Sequence, residues 1–393
     1  MPDNPKGKAT EMKGRKTLLI ALSAVGAVTA VAFFGGGAPW NDNFESYPLG
    51  PIAGQGGWEE WSGSQNVSGR VTNAQARGTK SLLIEGGVQG GDPGDDTVQR
   101  FSGITTGRYL MKAWTFVPSN ATGAGWFIML NQYPSPLNWS HQVQFDANDN
   151  KVYADFQQGE TNLIKGQWVP YMVDINLDAD KQHTYYNGVP FVIGQSWKDG
   201  VSGMGIANIA ALDLYGGEFD SQPPGTSGMY FDDVALAVVP TISSVSFQVP
   251  GGGNAGGTLA ALADLDDVAY RTYSDLTSEI QFANLTAMVL AMNTTVANPT
   301  SLCVNIKARI NQSVGGGLRV SLKNWNTGAF VDVGPVFQTT TSYKFFQVLN
   351  IPAANYVRAS DGRIEVRIRS FVNLPITEAT FFTEFDLVQV GVS

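Results

Sequence analysis

The sequence predicts an all-β protein, and three observations carry that expectation. Apolar residues recur at every second position in short runs rich in Val, Ile, Thr, Phe, Tyr and Trp, the period of a strand with one face in a core. Turn formers separate the runs, with 45 glycines spread along the 393 residues, and charged residues make up only 15%. No long amphipathic helical repeat interrupts the pattern. The chain is long enough for two domains with substantial cores.

Residues 1–16 hold Lys6, Lys8, Lys13, Arg15 and Lys16 against Asp3 and Glu11, and residues 17–34 are then apolar or small throughout. A basic stretch followed by an apolar one is the arrangement of a secretory signal. Met12 opens a compact version of it, and Val28-Thr29-Ala30 offers small residues for cleavage. The alternative is an uncleaved anchor, since the apolar stretch approaches the ~20 residues that span a bilayer; its many Ala, Gly and Ser residues favour cleavage. Residues 1–38 are therefore read as a signal peptide or N-terminal anchor, and the protein as secreted or on the cell surface.

The net charge of −9 grows more negative once the basic leader is set aside. An acidic exported protein is repelled by nucleic acid and by anionic lipid, so neither is expected as a partner beyond an N-terminal anchor. The acidity is uneven: residues 41–239 hold 21 acidic and 10 basic side chains, residues 240–393 hold 11 and 10. Eight of the nine tryptophans and both histidines also precede residue 240. This break divides the chain into domains at 41–239 and 241–393. The single cysteine, Cys303, rules out an internal disulfide framework, and the parity of LCVNIKARI places its thiol opposite the apolar face.

The first domain opens with NDNFESYPLG and closes with MYFDDVALAVV. Between them RYLMKAWTFVP, GWFIMLNQY, WSHQVQFD and KVYADFQ read as strands bounded by Gly, Pro, Asn or Asp. Residues 165–193 form a meander. Val169, Tyr171, Val173, Ile175 and Leu177 alternate inward, Asp178-Ala179-Asp180-Lys181 turns the chain, and Asn187-Gly188 tolerates the positive φ of a second reversal. Strands of that length and spacing suggest a sandwich or jelly roll.

The order DNFESY, RYLMKAWTFVPSNATGAGWFIMLNQY, NWSHQVQFDANDNKVYADF, GQWVPYMVDINLDADKQHTYYNG, IAALDLYGG and YFDDVAL resembles the concanavalin A-like lectin/glucanase (LamG-like) jelly-roll domains of secreted bacterial proteins. The resemblance covers about residues 41–239. It implies a domain that binds glycans, acts as a spacer or, in some branches, cleaves polysaccharides.

The enzymatic branch finds little support in the residues. Jelly-roll glycosidases place two carboxylates along one strand, as Glu-x-Asp-x-x-Glu or Glu-x-Asp-x-Glu, and no such run exists. The pairs Glu59-Glu60 and Asp232-Asp233 point to opposite faces if extended. Lyase-type chemistry needs a His near Tyr, Arg or Gln. His141-Gln142-Val143-Gln144 has that composition in the wrong order, and parity sides His141 with Trp139, Val143 and Phe145 in the core. His183, in a short polar strand, is expected to be exposed. No catalytic residue is assigned, and Trp114, Trp168 and Trp197 are read as core.

For binding, the useful face is the polar one. Gln142 and Gln144 on one strand and Tyr153 and Asp155 on the next supply amides, an aromatic and a carboxylate, and Trp126, Asn131, Gln132 and Tyr133 on the preceding segment join them. A sugar needs such a set, planar rings for its C–H face and bidentate groups for its hydroxyls. The competing reading is an ordinary solvated strand face. The partner implied is a polysaccharide or cell-surface glycan.

Asp146, Asn148 and Asn150 have the spacing of a calcium loop, but Lys151 and Gln157 stand where an EF-hand needs Gly and Glu, so a turn is expected there. Structural calcium is expected instead where the domain ends meet. Asp42, Glu45, Asp232 and Asp233 match the terminal-strand positions that hold it in the related jelly rolls, as the resemblance implies; the alternative is ordinary surface carboxylates.

In the second domain, Ile364, Val366 and Ile368 alternate with Arg363, Glu365, Arg367 and Arg369, and SLCVNIKARI behaves the same way. A second β-sandwich is expected, resembling galactose-binding-like modules, with no site carried over. VPGGGNAGG at 249–257 reads as a flexible loop and ALADLDDVAYRTYSDL as a loop or short helix. The row Arg363, Arg367, Arg369 could meet acidic glycans, a solvated or ion-paired face being favoured. The leading function is a secreted non-catalytic carbohydrate-binding or cell-surface recognition protein. A structural or adhesive envelope protein, or a polysaccharide lyase or glycoside hydrolase, are the alternatives.

Overall fold

In the computed structural model, described residues are 39–61, 68–88, 94–154, 158–219, 228–248, 252–275, 286–313, 315–372 and 380–393. Residues 1–38, expected to be a signal peptide or N-terminal anchor, and Asp155 lie outside them. The described chain is built almost wholly of strands, and its helical elements are two 3-10 turns, Leu259–Leu262 and Ala353–Asn355. No helix among the described residues is long and apolar enough to cross a membrane.

The first half packs two sheets face to face. A seven-stranded sheet runs in the order Gly159–Asn162, Lys151–Ala154, Asn138–Asp146, Ala124–Gln132, Ala211–Tyr215, Asp96–Arg100 and Trp58–Glu60. Opposite it lies the meander Trp168–Asn176, Lys181–Tyr186 and Val189–Gln195, continued by Arg108–Phe116 and Gly228–Val238. The alternation in 169–177 puts Val169, Tyr171, Val173 and Ile175 into the core between the sheets, joined by Phe231 of the same sheet, with Phe127, Met129, Val143, Phe145, Leu212 and Leu214 facing them. Asn187 and Gly188 have φ of 51° and 71°, the left-handed pair that a two-residue hairpin requires.

The second half is also a sandwich. Its six-stranded sheet includes Ile242–Phe247, Thr286–Asn293, Arg363–Val372, Gly316–Lys323 and Phe330–Asp332. Its other layer is centred on the long last strand, Thr380–Val392, flanked by Ser301–Ile310 and Tyr270–Asp275. Leu318, Val320, Leu322, Ile364, Val366 and Ile368 bury their side chains between the layers. One expected loop proves to be a strand. Gly252–Gly256 pairs antiparallel with Tyr270–Asp275, because ladder bonding needs only backbone groups that the low strand propensity of glycine conceals.

Val238 pairs with Val392, so the large sheets of the two halves join into one fourteen-stranded network. A third apolar cluster lies on this seam: Leu110, Met172, Tyr185 and Ala237 from the first half, Leu265, Cys303 and Leu387 from the second. Cys303 does face away from the sandwich interior, yet it is fully buried on this other side. Gly391 sits opposite it in register, and a Cβ there would lie 2.7 Å from the sulfur.

Candidate functional site

The outward face of the seven-stranded sheet carries three transverse rows fixed by strand register. The first runs Glu160, Tyr153, Gln144, Trp126, Tyr215, Asp96. The second runs Gln142, Ile128, Asp213, Val98, Glu59. The third runs Trp139, Leu130, Ala211, Arg100. Period-2 alternation explains the membership, since Phe127, Met129, Leu212 and Leu214 between these positions are in the core.

Aromatic rings dominate the face. The centroids of Trp126 and Tyr215 are 5.5 Å apart. Trp61 stacks on Trp139 at 6.2 Å and tilts against Tyr133 at 5.2 Å, and the Arg100 guanidinium lies 4.9 Å from the Tyr133 ring while pairing with Glu59. These five rings are partly exposed and rest on buried Val98, Ile128, Leu130 and Ala211. Gln144 and Tyr153 are partly exposed, Gln142 is 5% exposed, and the Tyr153 hydroxyl donates to Asp149 Oδ2 at 3.1 Å.

Of the residues expected to bind sugar, the structure brings Trp126, Gln142, Gln144 and Tyr153 onto this face. Asn131 falls on the other side. It shares parity with Phe127 and Met129, is fully buried, and donates from Nδ2 to Ser140 Oγ at 2.7 Å. Trp139, assigned by parity to the core with His141, moves the other way. A register irregularity between Trp139 and His141 inserts an odd residue and turns the indole outward. Tyr215 and Asp213 join this face without having been expected there, although alternation in ALDLY sets them opposite Leu212 and Leu214.

Beneath the rings lies a carboxyl pair. Asp96 and Asp213 come from neighbouring strands and hydrogen-bond each other. Burial pushes the Asp96 carboxyl up to about 6, and Asp213 is pushed well above the usual carboxylate range, by burial first and then by the charge of Asp96. The pair therefore holds a proton between its two carboxyl groups near neutral pH.

The two histidines are structural. His141 is fully buried, contacting Gln182 Oε1 through Nδ1 at 2.8 Å and the Tyr171 hydroxyl through Nε2. Gln182 Nε2 donates to the carbonyls of Ser140 and Ser196, so its Oε1 faces the ring as acceptor. His183, expected to be exposed, is 2% exposed. Its Nδ1 accepts the Gly194 N–H at 3.2 Å, so the proton sits on Nε2 and is donated to Asp264 Oδ1 at 2.8 Å. The second half covers it, a burial that strand alternation alone could not disclose. Among Trp114, Trp168 and Trp197 only Trp197 is core; Trp168 packs half-buried on Phe116, and Trp114 carries the Arg77 guanidinium 3.5 Å above its ring.

The four carboxylates expected to hold calcium do not form one donor set. Asp42 is turned inward and satisfied by protein donors: Phe44 N–H on Oδ1 at 2.8 Å, and Tyr47 Oη and Trp58 Nε1 on Oδ2 at 2.7 and 2.8 Å. Glu45, Asp232 and Asp233 do line one open cavity of about 350 Å³ with Asn43, Arg77 and Thr79. The adjacent aspartates reach the same cavity because a bulge with φ of 46° at Asp233 breaks the alternation. Arg77 supplies a cation there, its Nε donating to Asp233 Oδ2 at 3.0 Å, while its backbone N–H donates to Asp232 Oδ2 at 2.8 Å. Glu45 accepts from the N–H groups of Thr79 and Lys80 at 2.7 and 3.1 Å. Among the described residues, no three His, Cys, Asp or Glu side chains converge to hold a metal ion, and these donors do not fit calcium as they stand.

No protein-family model and no curated protein matches the chain. Solved structures with similar folds include a sialidase, at 12% identity and a TM-score of 0.36 over 51% of this chain and 18% of that one. Another is the cellulose-induced protein Cip1, at 14% identity and 0.33, over 50% and 96%. A third is the CBM22-1–CBM22-2 tandem domain of Paenibacillus barcinonensis Xyn10C, at 9% and 0.27, over 88% and 97%. The chain thus spans under a fifth of the sialidase. These likenesses are too slight to carry an argument, and the site is read from its own geometry.

Proposed function

We propose that this is an exported, non-catalytic carbohydrate-binding protein of the secreted or cell-surface kind, built on a concanavalin A-like jelly roll, and that a polysaccharide or cell-surface glycan lies across the seven-stranded sheet. The basic-then-apolar start of the chain supports export. The observation that carries the binding reading is the row Tyr153, Gln144, Trp126, Tyr215, in which rings flank an amide on successive strands. Strands lie ~4.8 Å apart, so the row spans roughly 14 Å, a length suited to a short run of sugar rings. Aromatic faces take the C–H side of a pyranose and the amide its hydroxyls.

Hydrolysis is disfavoured by the carboxyl pair itself. A glycosidase keeps its two carboxyls ~5 Å or more apart so that a nucleophile or water fits between acid and anomeric carbon. Asp96 and Asp213 touch, leaving no such gap.

A glycan array on the purified full chain tests the reading. Saturable binding to a defined set of neutral glycans is expected, with Trp126→Ala and Tyr215→Ala each weakening it about three- to tenfold. No saturable binding, or variants that bind as the wild type does, would overturn it.

A further inference from the structure

The outward face of the six-stranded sheet in the second half has an unbalanced charge. Arg319, Lys323, Arg363, Arg367 and Arg369 project from it, opposite in parity to the buried Leu318, Val320, Leu322, Ile364, Val366 and Ile368. Among the described residues, only Asp332 and Glu365 form ion pairs with them. Asp332 is shared by Arg319 and Arg369, and Glu365 by Lys323 and Arg363. Among the described residues no carboxylate lies within ion-pair distance of Arg367. Arg319 and Arg369 stand directly opposite in register, a like-charge pairing that the shared Asp332 offsets, so that this carboxylate is fully engaged and leaves Arg367 without one.

Arg367 and Arg369 both reach Ser321 Oγ, at 3.5 and 3.4 Å, so two guanidinium groups converge on one hydroxyl. The Nε atoms of both are buried without an acceptor. The Arg367 guanidinium also lies 4.5 Å from the Phe330 ring centroid. Ala287, Val289 and Ala291 on the neighbouring strand form a small-residue floor opposite Arg369, Arg367 and Glu365. Two guanidinium groups that converge on Ser321, each with an Nε lacking an acceptor and one of them without a carboxylate partner, beside an aromatic ring, suit a carboxylate on a sugar ring.

We propose that this face, centred on Arg367 with Arg369, Ser321 and Phe330, binds the carboxylate of an acidic saccharide, a uronic acid polymer. The site is separate from the aromatic face of the first half and does not depend on it. The overall negative charge of the protein opposes general polyanion binding, so a spaced carboxylate on a neutral ring fits better than a densely charged backbone.

The test uses the full chain with polygalacturonate oligomers as probe and their carboxyl-reduced, neutral form as control. Saturable binding that weakens with salt is expected for the acidic oligomers, and at least about tenfold weaker binding for the neutral form. Arg367→Gln should lose about tenfold or more, and Phe330→Ala, whose ring lies at the sheet edge, should lose affinity even if the arginine variant folds poorly. Trp126→Ala should leave this binding intact. The proposal is overturned if the reduced oligomers bind equally well, if both second-half variants match the wild type, if Trp126→Ala abolishes the signal, or if a DNA duplex or dextran sulfate binds as tightly.

Discussion

Gln389 donates from Nε2 to Asp174 Oδ2 at 2.9 Å, joining the last strand of the chain to the centre of the first-half meander. Arg108 pairs with the same carboxylate, and Asn305 and Gln347 extend the chain of contacts on the second-half side. Around this network the seam cluster and the Tyr185–Phe345 ring pair, 4.7 Å between centroids, exclude water. A buried carboxylate whose partners come from both halves couples their stabilities. The full chain should therefore unfold in a single calorimetric transition. Leu387→Ala should destabilise it by about 2–5 kcal/mol, and residues 41–239 made alone should melt well below the whole. Two resolved transitions would show that the seam contributes little.

Stability should depend on pH in a definite sense. The folded-state pKa values of Asp96, Asp213 and Asp232 are all raised, with Asp96 and Asp232 at about 6 and burial the leading cause in each. A raised carboxyl means the folded state keeps a proton that the unfolded chain releases. Its contribution is fully present below the unfolded value near 3.9 and is lost as pH rises through about 6. Asp213→Asn, which mimics the protonated form, should melt at least about 1 °C above the wild type at pH 8 and match it near pH 4.5. Parallel melting curves across that range would refute the shared proton.

In the cavity where calcium is expected, the Arg77 guanidinium pairs with Asp233, and a cation already in place leaves less need for a metal ion. The wild-type melting temperature should therefore be insensitive to exchange of EDTA for millimolar Ca²⁺. Arg77→Gln, which leaves the two aspartates facing each other without a cation, should lower the melting temperature in EDTA and recover part of it in Ca²⁺. A large calcium shift in the wild type would return the ion to this site.

His183 tests the tautomer. Asp264→Ala removes the acceptor of a buried ring N–H and should cost about 1–3 kcal/mol. The Asp264 carboxyl is held well below the usual range, first by its hydrogen bond from His183. This contribution is present above the unfolded value near 3.9 and fades as pH falls below it, so wild type and variant should converge in strong acid. A constant gap at all pH values would mean the loss is packing alone.

Where one face of a strand is buried and the other wet, alternation is a direct record of burial, and the meander at 168–195 was legible for that reason. Alternation loses its meaning after a bulge. One inserted residue at Trp139 and one at Asp233 reversed the facing of every assignment that counted through them. Asn131 failed differently, as a polar residue buried because Ser140 answers it. His183 and Cys303 sit on a sheet face that would be wet in an isolated domain and is dry here because the second half covers it. The pairing of Asp96 with Asp213 depends on which strands become neighbours, and no local pattern encodes that.

Cys303 has a use that follows from its burial in the seam. Its sulfur is packed against Gly391 and is out of reach of any reagent dissolved in water until the two halves part. The chain has no other thiol, so a modifying agent that labels it at all records a separation event. With reclosing faster than labelling, the labelling rate reads the population of the parted state. The molecule thus carries a gauge of how often its halves let go, and a saccharide bound to either half could be judged by whether it slows that clock.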